Sequence, residues 1–448
     1  MKWAGRILSV GFLSATVFIP AGQAQKSTHS GVTSASGYKL LVLKVSGTTR
    51  YTDKEILSAS GLRIGQEAAD GDFKEAVRQL GNSGMFSDAS YSYTASGSGV
   101  RLDLQLTDID QSKLFPAHFE NFVWFTDDEL QTALQSRVPL FKQLLPESGS
   151  LPDWVSEALQ AMLTEKQAPG RVDFLRSVDQ ATGKAIGYDY SVEEVTILIR
   201  KVEFPGASPE LAELLTTAAH RAIGTEYLRS ALAAVTRLDL LPVYLQRGYL
   251  KASFGPSEAH VASKPAGSSD STENAEVEVD VLIPVNPGKV YSVSGLDWKG
   301  NTVWKASELT ALVRLTTGQP ADAVQLGRDL EEVARRYGTR GYITAKVAPN
   351  AEIDEEKGTV HYELNVTEGD QYKMGELEIT GLDTQARARM TDAWTLRTGE
   401  VYNADYPRKF IADTRGFLPE GASWATTVHE SPDARDKTVD VEIHFKQE

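Results

Sequence analysis

Four pairs of glycines share one spacing: Gly47/Gly65, Gly206/Gly224, Gly300/Gly318 and Gly381/Gly399 are each 18 residues apart. An alternating apolar run ends at the first glycine of each pair (LVLKVSG, IRKVEFPG, SGLDWKG, GELEITG), and a helical stretch leads to the second (GLRIG, HRAIG, LTTG, LRTG). Self-similarity at a fixed period is the mark of repeated modules, and it constrains the fold more than any single motif. Glycine at the end of a strand or helix supplies positive φ without a Cβ clash, so the ten glycines Gly47, Gly65, Gly206, Gly224, Gly248, Gly300, Gly318, Gly341, Gly381 and Gly399 are read as structural.

Between the paired glycines the same order of elements returns. In the first module, Leu40, Val42 and Val45 belong to a strand, and Asp53 before Lys54-Glu55-Ile56-Leu57 is placed to cap a helix. Phe73, Ala76, Val77 and Leu80 share one face of a second helix, and two strands follow, Phe86 to Tyr93 and Val100 to Leu106, around the hairpin Ser96-Gly97-Ser98-Gly99. The order is β-α-α-β-β. The third and fourth modules share a signature after the second helix, YLQRGYLKASFGP against YGTRGYITAKVAP, in which Arg-Gly-Tyr ends a helix and begins a strand. Valine at Gly248 or Gly341 is therefore expected to destabilise that glycine's own module. Residues 114–200 form a divergent copy in which Asn121 and Pro139 stand where Gly47 and Gly65 stand in the first. The fold class is α+β: tandem β-α-α-β-β modules, each a three-stranded mixed sheet under two helices, in an elongated array. The expected boundaries are 38–110, 114–200, 201–287, 288–369 and 370–448.

Lys2 and Arg6 precede the apolar stretch Ile7 to Ile19, and Ala21-Gly22-Gln23-Ala24 offers small residues for cleavage. Residues 1–24 therefore read as a secretory signal peptide and 25–37 as a polar lead-in, so an exported protein with no further membrane-spanning segment is expected. The net charge of −15 disfavours nucleic acid as a partner. The absence of cysteine excludes disulfides and thiolate metal sites.

No catalytic constellation is legible. The seven histidines (29, 118, 220, 260, 361, 429, 444) are scattered without metal-ligand spacing, and neither a GxSxG elbow nor a phosphate-cradling GxxxxGK[ST] occurs. Carboxylate runs such as Asp127-Asp128-Glu129 fit helix starts. No enzyme, cofactor or metal is expected. What the modules do offer is sheet edges, whose unpaired N–H and C=O groups can accept an extended peptide.

Exported repeats of 70 to 90 residues in this order, with the paired glycines, with Gly84, Gly248, Gly341 and Gly416 before the second strand, and with the junction NVTEGDQYKMGELEITG, resemble the POTRA domains of BamA-type outer-membrane protein assembly factors. The resemblance covers about residues 38–447. It implies a periplasmic location at the outer membrane, and as partners unfolded outer-membrane proteins or an outer-membrane β-barrel. In that family a transmembrane barrel follows the modules, and this sequence stops at His444-Phe445-Lys446-Gln447-Glu448, where a barrel is expected to begin. The resemblance further implies that the second strand of a module is the docking edge: Ser87 to Tyr93, Leu250 to Phe254, Ile343 to Val347 and Ser423 to Val428. The named candidates are Lys251, Ala252, Ser253, Thr344, Ala345 and Lys346. The alternative is a structural envelope spacer that bridges folded partners and binds no clients.

Overall fold

The computed structural model describes residues 37–97, 99–262, 275–418 and 423–447. The signal peptide expected at 1–24 and all but the last residue of the lead-in lie outside the described residues. The described chain divides into two compact units, one made of 37–81 with 86–108 and one made of 82–85 with 109–447. The first contains one β-α-α-β-β repeat and the second contains four.

Repeat 1 has an opening strand Tyr38–Ser46, helices Asp53–Ala59 and Asp70–Asn82, an edge strand Phe86–Ser96 and a closing strand Gly99–Asp108. The closing strand lies between the other two, parallel to the opening strand and antiparallel to the edge strand. This follows from its composition. Val100, Leu102, Leu104 and Leu106 alternate with polar residues, and each is at most 1% exposed, so one face packs under Ile56, Phe73 and Leu80 of the helices. The strand with the longest apolar alternation takes the position with two neighbours.

The plan recurs. Repeat 4 has opening strand Ser292–Lys299, helices Ala306–Thr310 and Ala323–Gly338, edge strand Lys346–Asp354 and closing strand Thr359–Thr367. Repeat 5 has Lys373–Thr380, helices Thr384–Ala393 and Tyr406–Asp413, edge Trp424–Asp433 and closing Thr438–Gln447. In both, the sheet order is opening, closing, edge. Repeat 2 uses Leu114–Phe119, helices Asp127–Arg137 and Leu151–Glu165, edge Arg171–Val178 and closing Ala185–Glu193. Repeats 1 and 2 add a short fourth strand beyond the opening strand, Glu67–Ala68 and Leu144–Pro146, where a three-stranded sheet is predicted. In repeats 3, 4 and 5 single bridges hold that position: Leu198 to Glu226, Ser292 to Pro320 and Lys373 to Val401.

The glycine spacing has a direct physical meaning. All eight paired glycines have positive φ. The first of each pair meets a carbonyl of the closing strand, or in repeat 3 of Val285 just beyond it, so closely that a Cβ would stand 2.1 Å from Leu106 O, 2.3 Å from Val285 O, 2.3 Å from Val366 O and 1.8 Å from Phe445 O. No side chain fits there. The second glycine returns the chain to the opening strand, its N–H donating to Leu40, Ile199, Val293 and Met374 at 2.7–2.8 Å. Each accepting residue immediately precedes a bulge in that strand. Eighteen residues is thus the length of the loop, helix and turn that leave the end of the opening strand and come back alongside its first half. In repeat 2, Asn121 replaces the close approach with chemistry: its buried side-chain amide donates to Val192 O at 3.0 Å and accepts from Val192 N–H at 2.7 Å.

Three expectations are corrected. Thr52, not Asp53, caps the first helix, accepting the Glu55 N–H at 3.3 Å while the Glu55 carboxylate accepts the Thr52 N–H at 2.7 Å. This reciprocal box satisfies two free donors where a lone aspartate would satisfy one. The boundary placed at 200/201 moves to Glu194, because Val195–Glu203 pairs with Ala275–Leu282 and so opens repeat 3. Finally, Gly248 and Gly341 are joint residues. A Cβ on either would stand 2.6 Å from a carbonyl of the following repeat, Tyr291 O or Tyr372 O, and each glycine carbonyl accepts that tyrosine's N–H at 2.8 Å. A valine there strains the contact with the next repeat and not its own core alone.

Beyond the closing strand of repeat 4, the Glu368 carboxylate accepts the N–H groups of Thr302 and Val303 at 2.6 and 2.8 Å and the Tyr337 hydroxyl at 3.0 Å. Burial alone would raise its pKa, but the hydrogen bonds from Thr302, Val303 and Tyr337 outweigh it and hold the carboxyl below its ordinary value. A depressed carboxyl pKa contributes stability above the unfolded-state value, and that contribution is lost as pH falls through the folded value. Glu368→Gln should therefore lower the unfolding free energy at neutral pH by about 1 kcal/mol, read as a lower urea midpoint. The difference from the parent should shrink as pH falls through and below the ordinary glutamate range. A difference independent of pH would show that the charge of Glu368 is not what holds the turn. The glycines give a second test. Gly318→Ala meets open space and pays only for its φ of +85°, about 1–2 kcal/mol. Gly300→Ala must also displace Val366 O and should cost about 3 kcal/mol or more. Equal losses in equilibrium urea unfolding would contradict the contact argument.

Candidate functional site

The direction of each edge strand's backbone follows from the glycine contacts. Along a strand, the N–H and C=O of one residue share a side and alternate from residue to residue. In repeat 1, Leu106 O faces Gly47 and Leu104 O accepts the Ser46 hydroxyl at 3.2 Å, so Val100, Leu102, Leu104 and Leu106 address the opening strand. Arg101, Asp103 and Gln105 then address the edge strand, bonding Thr94, Ser92 and Ser90 opposite them. This leaves Ala89, Tyr91, Tyr93 and Ala95 with N–H and C=O directed away from the sheet.

The same parity in repeat 4, from Val366 O at Gly300, gives an outer row of Val347, Pro349, Ala351 and Ile353. In repeat 5, from Phe445 O at Gly381, it gives a row that includes Val428, Glu430 and Pro432. Proline has no N–H and belongs on the side of an edge strand that needs no donor, so Pro349 and Pro432 independently support the assignment. In repeat 2, Glu120 N–H donates to Tyr190 O at 2.9 Å, which leaves Val172, Phe174 and Arg176 outward. There the Val172 N–H is already taken by Gln160 Oε1 at 2.8 Å. In repeat 3 the edge is split: Ser253–Phe254 pairs only with Val285–Asn286, and Glu258–Val261 pairs with the closing strand Ala275–Leu282.

The six candidate residues do not lie together on such an edge. Only Ser253 and Lys346 are in strands, each at its first residue. Ala252 and Ala345 close short turns, their N–H groups donating to Tyr249 O at 3.1 Å and Tyr342 O at 3.2 Å. Thr344 packs against Gly369, and Lys251 forms an ion pair with Glu355 of the next repeat. The second Glu355 oxygen accepts the Tyr291 hydroxyl at 2.6 Å. These bonds hold the Glu355 carboxyl below its ordinary pKa and raise that of Lys251. The Arg-Gly-Tyr turn runs several residues further than its strand-like sequence suggests, so the edge strand begins later. In repeat 4 it runs from Lys346 to Asp354, and in repeat 5 from Trp424 to Asp433.

The edge of repeat 1 has a distinct chemistry. The Tyr91 and Tyr93 rings flank Phe73 of the second helix, with centroids 6.4 and 5.3 Å away. The Tyr91 hydroxyl donates to Asp70 at 2.9 Å, and burial, with that carboxylate, pushes its pKa up to about 12. Tyr93 remains 40% exposed. Ser90, Ser92 and Thr94 line the opposite, open face.

Grooves of about 670 and 540 Å³ flank the joint between repeats 2 and 3. Several of their charged groups already answer one another: Arg229 pairs with Asp127 at 2.5 Å, and Asp189 holds His118 at 2.9 Å and Ser177 at 2.5 Å. Among the described residues, no group of three or more His, Cys, Asp or Glu side chains could hold a metal ion, and no helix is long and apolar enough to cross a membrane.

Comparison with known proteins agrees with this architecture. The POTRA family (surface antigen variable number repeat) matches residues 291–369, which is repeat 4. The outer membrane protein assembly factor BamA of Neisseria meningitidis serogroup B is 21% identical over 235 residues, 50% of this chain and 28% of that protein. A putative outer membrane protein assembly factor of Treponema pallidum is 20% identical over 228 residues, 50% of this chain and 26% of that protein. The alignment thus spans little more than a quarter of either relative. Among solved structures, POTRA domains 3–5 of Haemophilus influenzae BamA are similar at 18% identity and a TM-score of 0.41, over 56% of this chain and 96% of that one. The chain carries a POTRA domain at residues 291–369 and is a relative, over about half its length, of the BamA-type outer-membrane protein assembly factors.

Proposed function

We propose that this chain is a periplasmic protein-binding scaffold that holds unfolded outer-membrane clients, or docks a separate barrel, by adding an extended segment to a sheet edge. The observation that carries the proposal is the row of outward backbone groups on the edge strands of repeats 1, 2, 4 and 5. Strand addition draws its affinity from main-chain hydrogen bonds, so one edge can accept many sequences. The signal peptide read at 1–24 and the assembly-factor relatives support export to the periplasm and work at the outer membrane. The mechanism needs neither cofactor nor catalytic group.

A second reading has its own support. Pro349 and Pro432 each remove a donor from an outer row, a known way of blunting edges against pairing. A chain with every edge closed would act as a spacer between folded partners. Titration of the mature chain with segments of an unfolded outer-membrane protein separates the two. The scaffold reading expects weak, saturable binding to many segments, with little dependence on their order of residues. Absence of binding to every segment, with tight binding to one folded barrel, would replace it with the spacer reading.

A further inference from the structure

We infer that the groove beside Trp124, at the joint of repeats 2 and 3, binds a basic residue of a partner protein, an arginine or lysine that brings its own backbone carbonyl with it. Recognition here is by side-chain chemistry and needs no strand addition.

This groove, of about 540 Å³, is walled by three stretches of chain. Residues 122–129 lead from the opening strand of repeat 2 into the helix Asp127–Arg137. Tyr227 and Arg229 stand where repeat 3 returns along its opening strand, the Tyr227 N–H donating to Ile197 O at 2.7 Å. Residues 256–260 come from the divided edge of repeat 3. Two polar groups lining the groove are left unanswered. Tyr227 is 1% exposed, and among the described residues its buried hydroxyl has no hydrogen-bond partner. The buried Nε of the neighbouring Arg229 has none either, although Nη2 of the same guanidinium meets Asp127 at 2.5 Å. Aligning the pair would give Nε–H an acceptor in the tyrosine oxygen and still leave the O–H proton without one. Buried polar groups are nearly always paired, so this hydroxyl marks a place for an incoming acceptor.

Charge decides what carries that acceptor. Asp127 already neutralises Arg229. Glu129 has Lys166 at 4.0 Å, and the Lys166 ammonium also lies 5.5 Å from the centre of the Phe125 ring. Asp128 is exposed and, among the described residues, has neither ion pair nor hydrogen bond, and half-buried Trp124 has no cation over its ring. A carboxylate or phosphate entering the groove is repelled by Asp127, Asp128 and Glu129. A neutral carbonyl is not, and a cation on the same ligand gains Asp128 and the indole of Trp124. An arginine or lysine residue supplies both groups. The chain already makes this arrangement once, with Lys166 set between Phe125 and Glu129. Trp124 and Asp128 are the residues immediately before those two, and they lack their cation. A helix start accounts for an acidic Asp128, but not for the open hydroxyl of Tyr227.

The test titrates the mature chain at low salt with N-acetyl-arginine amide, and with N-acetyl-citrulline amide as its uncharged isostere. Binding is followed at the indole N–H resonance of Trp124, assigned by its loss in Trp124→Phe. The arginine compound should shift that resonance saturably and bind about fivefold tighter than the citrulline compound. Asp128→Asn should abolish the preference. Tyr227→Phe should weaken both compounds alike, because it deletes the bond to the carbonyl they share. The same variant should keep or raise the urea midpoint of the free chain, since its hydroxyl has no partner to lose. Equal binding of the two compounds, or a preference kept in Asp128→Asn, overturns the basic ligand class. A lower midpoint in Tyr227→Phe shows that the hydroxyl is bonded without a ligand and removes the ground for the site. No saturable shift with either compound overturns the site outright. A shift with diacetylchitobiose and with neither amino-acid compound assigns the groove to a glycan instead. None of these outcomes bears on strand addition.

Discussion

A carbonyl oxygen at the closing strand standing where a Cβ would otherwise be is the contact on which repeats 1, 3, 4 and 5 turn. At Gly47, Gly300 and Gly381 this approach locks the end of the opening strand to the closing strand, and at Gly206 to Val285 just beyond it. The chain must then leave through the first helix and return alongside the first half of the same strand at Gly65, Gly224, Gly318 or Gly399. With the opening strand fixed on one side, the closing strand's remaining backbone groups can only face the edge strand. The parity of that edge, and so which of its groups face outward, is inherited from a contact on the far side of the sheet. The function proposed here is thus a consequence of the same geometry that makes the fold.

Much of this is legible in the residues. Glycine pairs at constant spacing, helical faces such as Phe73, Ala76 and Leu80, and alternating closing strands announce β-α-α-β-β repeats before any coordinates, because backbone strain and burial leave periodic traces. Asn121 marks the position of a missing glycine, but not that its amide would bond both groups of Val192, since a side chain's partners are set by tertiary placement. The boundary read at 200/201 cuts the Val195–Glu203 strand in two, because an apolar strand carries no sign of where its pairing begins. Lys251 and Thr344 look strand-like after Arg-Gly-Tyr, yet the N–H groups of Ala252 and Ala345 close turns first. Pro349 and Pro432 were visible throughout. Their meaning required the register.

Edges in one chain that differ in openness fit the proposed binding of extended segments without polymerisation. Blunting by proline, by a glutamine that borrows a donor, or by division of the strand closes repeats 2 to 5 to different degrees, while the tyrosine-flanked edge of repeat 1 stays complete. The joints behave differently. At Gly248 and Gly341 a glycine carbonyl receives the first tyrosine N–H of the next repeat, so adjoining repeats share backbone bonds in addition to side-chain contacts. Outward sheet edges and joints therefore use separate parts of the module. The Arg-Gly-Tyr segment belongs to the joint.

Residue-resolved amide hydrogen exchange along Phe86–Ser96 tests the central claim most directly, because it reads backbone direction without any substitution. Ser90, Ser92 and Thr94, bonded to the closing strand, should be protected, and Ala89, Tyr91, Tyr93 and Ala95 should exchange rapidly. The fast set should become protected when an unfolded outer-membrane protein segment is added. Uniform protection in the free chain, or fast exchange at Ser90, Ser92 and Thr94 instead, would contradict the account.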